Sequence, residues 1–168
     1  LIQGKIDEAA STLEGCFPLV LEVNAPDVTA EAYCTLAEIQ LARNEPAQAE
    51  ESARIAAQLA EQSGVSRLAA ASWRLTSASL LRQGEIHKAG MALETAWKAL
   101  ADSPDQLEKG RLHALAMSAA LALNDASQAQ AHRKEAERVF KHLGAAHDLA
   151  LLESAGAKPN NFIGLKGI

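Results

Sequence analysis

Leu41-Ala42-Arg43-Asn44-Glu45-Pro46-Ala47-Gln48-Ala49 reads as the end of one helix, a tight turn and the start of the next. Asn tolerates the left-handed backbone that closes a helix C-terminus. Pro46 suits a first helical position, where its missing N–H removes nothing the helix uses. The pattern returns 40 residues on at Leu81, Gly84 and Ala89, and again at Leu121, Asn124 and Ala129. Leu1, Gly4 and Ala9 repeat it at the opening, and a further column runs Cys16, Ala56, Ala96, Ala136. A constant period between roughly 20 and 50 residues marks stacked supersecondary units, each burying one flank against the next.

The bulk numbers agree. Of 168 residues 48% are hydrophobic but only 4% aromatic, and Ala, the best intrinsic helix former, carries much of that apolar count. No stretch alternates polar and apolar over strand length, so the fold class expected is all-α. A net charge of −5 argues against a nucleic-acid surface. The most apolar stretch, 17–23, is too short for a membrane span and carries Glu22. Cys16 and Cys34 suit reduced thiols and a cytoplasmic location, and the Ala-filled column around Cys16 predicts a tightly packed interior site for it. The chain opens at Leu1 without Met or a visible signal peptide, as expected of a piece of a longer array.

The turn and cap signals predict helices near 5–23, 28–43, 46–63, 66–83, 86–102, 105–123 and 126–143, with a shorter one near 146–155. Pro18 should kink or shorten the first. Asp27 is expected to cap the second, Ser103 the sixth with Pro104 at its first position, and Asp125 with Gln128 the seventh. Gly64 and Gly144 end the helices before them. Residues 1–156 then form one helical repeat domain and 157–168 an irregular tail or linker. The apolar Phe162, Ile163, Leu165 and Ile168 in that tail would also suit docking into an apolar groove.

The Gly/Asn turn, the Ala five residues on and the Ala seven further resemble the tetratricopeptide repeat. So does the column Tyr33, Trp73, His113, where that family carries a first-helix Trp. The likeness covers about residues 1–143. It departs in its longer unit and in Leu13, Ala53, Leu93 and Arg133, which stand where the family has a second-helix aromatic. Longer units of this kind look like the helical-repeat regions of large bacterial signalling regulators, and residues 136–150 resemble their closing signature. The resemblance implies a right-handed α-α superhelix of antiparallel pairs whose first helices line a concave face. It further implies a module that receives a partner protein or small effector.

Carried over position by position, that face offers Glu31, Glu38, Arg67, Arg74, Arg82, Arg111 and Ser118 as groove contacts. The arginines suit acidic side chains or a terminal carboxylate. A competing account pairs them internally: Glu31 and Glu38 lie seven apart on one stripe, and Arg67 and Arg74 repeat that spacing on the next unit. The family's chaperone-binding clamp is not expected, because Ala71 and Ala78 occupy its positions. Tyr33, Trp73 and His113 are expected to fill the packing seam. None of the five histidines has an i, i+4 partner to share a metal, no phosphate loop or nucleophile motif is present, and no cofactor is expected. The interleaved Lys, Arg and Glu of 132–142 read as a solvated face.

The function expected is a non-enzymatic scaffold that binds a peptide, a partner protein or neighbouring domains of its parent chain. Small-effector sensing and self-association through the ends of the array are the alternatives. Neither direct nucleic-acid binding nor membrane insertion is expected.

Overall fold

The structure, a computed structural model, describes residues 2–157. All regular structure among them is helical: α1 Ile2–Val23, α2 Pro26–Ala42, α3 Pro46–Ser63, α4 Ser66–Arg82, α5 Ile86–Leu100, α6 Gln106–Ala122, α7 Ala126–Leu143 and α8 Ala146–Ala157. The tail expected to be irregular lies outside the described residues, apart from Ala157 at the end of α8, as does Leu1.

Three connections share one construction. Asn44, Gly84 and Asn124 have φ of 62°, 78° and 60°. The next residue's N–H then reaches back five positions: Glu45 to the Gln40 carbonyl at 2.8 Å, Glu85 to Leu80 at 2.9 Å and Asp125 to Ala120 at 2.9 Å. This closure satisfies carbonyls that a helix end otherwise strands. With so short a link, each helix folds straight back on its predecessor, pairing α2 with α3, α4 with α5 and α6 with α7. Gly64 and Gly144 end α3 and α7 with the same left-handed backbone.

The pairs bury small residues where they meet. Ala49, Ala89 and Ala129 are buried, as are Ala56, Ala96 and Ala136. A second set varies in size across the molecule. Ala30 shares a core with Ala60, Ala70 with Leu100, and Gly110 lies against Phe140. As the second partner grows from Ala to Leu to Phe, the first shrinks to Gly. Interiors at crystal-like density require this compensation.

From Leu68 to Leu80, α4 is buried at every position but Trp73. Its hydroxyls are satisfied within the helix or by the next. Ser72, Thr76 and Ser79 donate to carbonyls four residues back at 2.7, 3.0 and 2.8 Å, and Ser77 donates to the Ala89 carbonyl at 2.8 Å. Small side chains that keep their own hydrogen bonds let neighbouring helices approach closely at no desolvation cost.

Several local expectations need correction. Gly4 lies inside α1 and makes no turn. Pro18 also sits within α1, which continues to Val23. Cys16 is exposed, lining an open groove with Leu13 of α1 and Thr35 of α2 instead of a closed interface. Asp27 does not cap α2: Pro26 is its first residue, and Ala25 before it makes no side-chain cap. The cap of α6 is Asp105, whose carboxylate accepts from the Glu108 N–H at 2.9 Å, while Ser103 supports it by accepting from the Asp105 N–H. Asp125 caps α7 as expected, accepting from the Gln128 N–H.

Candidate functional site

The seven residues assigned to a groove fall on the seam where α2, α4 and α6 lie side by side, and α8 continues that row. Four of them, Glu38, Arg74, Arg111 and Ser118, are buried and present no surface to a partner. Glu31 and Arg67 remain partly open and pair with each other at 3.0 Å. Burial opposes the Arg67 charge, but Glu31, with Asp105 and Glu108 behind it, holds the pKa above the usual arginine value. Arg82, half-buried, donates to the Asn44 side-chain carbonyl at 3.3 Å, and burial lowers its pKa.

The buried charges form a continuous ladder across all four helices. Arg74 on α4 lies 3.7 Å from Glu38 on α2 and bonds through Nε to Glu108 on α6. Glu108 is 4.0 Å from Arg111, one turn along its own helix. Arg111 in turn grips Asp148 on α8 with two bonds, Nε at 2.7 Å and Nη2 at 3.3 Å. Burial opposes the Arg74 charge, but Glu108 and Glu38 more than offset this and hold its pKa above the ordinary value. Cys34 adds an Sγ–Ser72 Oγ contact of 3.2 Å within the same seam.

The internal pairing read from the seven-residue spacing is therefore present at both positions. Its depth and length were not foreseen. Nothing local marks Glu108 or Asp148, since an acidic residue in the first turn of a helix is the ordinary pattern. One signal existed: Asp148 follows Arg111 by 37 residues, close to the 36 that separate Glu38 from Arg74 and Glu31 from Arg67. Neither Arg74 nor Arg111 is left open to an anionic ligand.

An accessible apolar concavity lies elsewhere. Between α1 and α2 an apolar crevice of about 490 Å³ is lined by Leu13, Phe17, Leu21, Leu36 and Ile39, with Glu14 and Arg43 at its edge. Phe17 meets Tyr33 edge-on with ring centroids 5.1 Å apart. The crevice has a residue-level cause. One period later α3 carries Ala53 and Ala57 at the positions of Leu13 and Phe17, and α3 packs closely on α4. The bulkier Leu13 and Phe17 leave the crevice beside α2, while Ile6 and Ala10 pack on Ile39 and Asp7 pairs with Arg43 at 3.0 Å. Leu19, Leu21 and Val23 on α1 are each more than half exposed.

One cluster was not anticipated at all. His113 on α6 and His132 on α7 bring their Nδ1 atoms to 3.0 Å, and Trp97 of α5 meets His113 edge-on with centroids 4.8 Å apart. Sequence spacing hid this pair, since the two lie on different helices across the Asn124 turn. Trp73, half-buried, donates from its indole to Glu61 at 3.2 Å. His142 and His147 are exposed. Among the described residues no three His, Cys, Asp or Glu side chains gather as a metal site, and no helix is long and apolar enough to cross a membrane. Compared with protein-family models, curated proteins and solved structures, the chain matches none.

Proposed function

We propose that this chain is a non-catalytic interaction and spacing module. We read its helix pairs as a tetratricopeptide-like right-handed superhelix with a 40-residue unit, of the kind found in large bacterial regulators. The observation that carries the reading is the buried ladder from Glu38 to Asp148. It couples α2, α4, α6 and α8 into one stiff row and turns the arginines inward. The surface left for a protein or peptide partner is the apolar crevice between α1 and α2, whose width admits bulky apolar side chains.

Selection of a displayed peptide library on the whole chain tests this, followed by titration against variants. Selected peptides should bind the parent chain, lose at least tenfold in affinity to Leu36→Glu, and keep it in Glu31→Ala/Arg67→Ala. The reverse pattern would return binding to the α2–α4 seam. A library yielding no binder would remove the interaction reading.

The exposed Leu19 and Val23, four apart on one flank of α1, favour self-association as a second reading. Light scattering across a concentration series separates the two, because a monomer at all concentrations leaves only the hetero-partner account.

A further inference from the structure

His113 and His132 face each other in an unusual manner. Their Nδ1 atoms are 3.0 Å apart and their ring centroids 5.3 Å apart. The two ring radii added to the nitrogen gap account for the whole centroid separation. The nitrogens therefore lie on the line joining the rings, head-on. Two lone pairs so directed do not converge on a common cation. They fit one proton between them.

The proton states follow. In the neutral pair one ring donates from Nδ1 and the other accepts. A first added proton goes to the donor's Nε2, and the resulting imidazolium still donates to its neutral partner. A second proton must go to the accepting Nδ1. Two N–H groups and two positive charges then meet head-on in a half-buried site, and the bond is lost. The surroundings do little to help. Trp97 is the α5 contact and is uncharged, and the flanking Glu94 and Lys98 are exposed and paired with each other at 2.8 Å. On α7, Glu135 favours a charge on His113 and Arg138 opposes it, and these two are themselves paired at 2.9 Å. On α6, Arg111 is engaged in the buried ladder.

We propose that the His113–His132 pair is an acid-released latch: it ties α7 to α6 while the two rings hold a single proton between them, and it frees that hairpin when both are charged. Burial supports the same direction, since it lowers both imidazole pKa values, with His132 and Arg138 depressing His113 further against Glu135. A depressed folded-state pKa means that the unfolded or opened form binds more protons. The latch is thus closed above the ordinary histidine value of about 6.5 and weakens as pH falls below it. The part affected is the core shared by α6, α7 and α8, which holds Phe140 and Leu152.

Hydrogen exchange of the whole chain tests this at about pH 7.5 and pH 5, with intrinsic rates corrected. Amides of α7 should exchange up to about thirtyfold faster at the lower pH, the factor set by one proton blocked between about pH 6.5 and pH 5, while those of α3 hold steady. His132→Gln keeps a side chain that accepts from His113 or donates to it, so it should abolish the acid step without unfolding the hairpin. In a Trp73→Phe background, Trp97 fluorescence should fall as the adjoining His113 takes a charge, and the fall should begin at higher pH in His132→Gln, where no second imidazole opposes that charge. Equal acid loosening in parent and His132→Gln, no loosening in either, or loosening of α3 to the same degree would each overturn the latch.

Discussion

Gly110 shows how a single position sets a helix–helix distance. A Cβ there would lie 2.6 Å from Phe140 Cε1 and 2.9 Å from Val139 Cγ1, both on buried side chains. Gly110→Ala gains about 1 kcal/mol of helix propensity but overpacks a closed interface, which typically costs about 1–3 kcal/mol. We expect net destabilisation, and Gly110→Ala/Phe140→Leu to recover most of it, since Ala70 and Leu100 occupy the equivalent places one period earlier. Urea denaturation of the two variants checks this. A second residue-scale expectation concerns the turns. Gly84 has φ of 78° with open space around it, so Gly84→Ala should lose about 1 kcal/mol through backbone strain alone. Asn44→Gly, at φ 62°, should change stability by a few tenths at most. Thermal unfolding distinguishes them, and an equal loss in both would point to side-chain contacts instead. The turn positions were legible in the sequence. Gly110 was not legible there, because a glycine inside a helical stretch reveals nothing of what presses on it.

At the scale of elements, the ladder decides how the first helices of successive pairs sit together. Its ion pairs are buried, so their value differs from that of an exposed pair, which adds about 0–1 kcal/mol. Arg74→Met strands Glu38 and Glu108 in the interior and should cost about 3–5 kcal/mol. Replacing all three with Glu38→Leu/Arg74→Met/Glu108→Leu should restore most of that loss, because apolar side chains of similar volume often match a buried ion network. Breaking Glu31–Arg67, which is partly open, should cost under about 1 kcal/mol and be sensitive to salt. Denaturant titrations of the four proteins read these effects. If Arg74→Met proved as mild as Arg67→Met, the ladder would not hold the seam. The seven-residue spacing of the acids and arginines revealed the pairing itself. Whether each pair would be wet or dry depended on how closely α2, α4 and α6 approach, which Ala71, Ser72 and Ala78 permit by being small.

Across the whole molecule, packing is uneven. One core joins α2 to α6, and a second joins α6 to α8. The α1 end differs, with an open crevice and exposed Leu19 and Val23. Leu19→Glu/Val23→Glu removes apolar surface without touching either core, so folding stability should shift by less than about 0.5 kcal/mol. Any concentration-dependent association through α1 should disappear, as sedimentation would show. Association that persists in this variant would place the contact on another face.

By itself the sequence determined that the chain is helical and where each helix turns back. Caps, positive-φ closures and proline starts act within about five residues, so Asn44, Gly84, Gly144 and Asp125 carry their meaning locally. Only the tertiary structure decided which polar groups meet in the interior. Glu108, Asp148, His113 and His132 take their roles from side chains about 20 to 40 residues away, at distances set by how far small residues let helices close. Cys16 shows the converse. Its column promised burial, but a helix flank is covered only where another element packs on it.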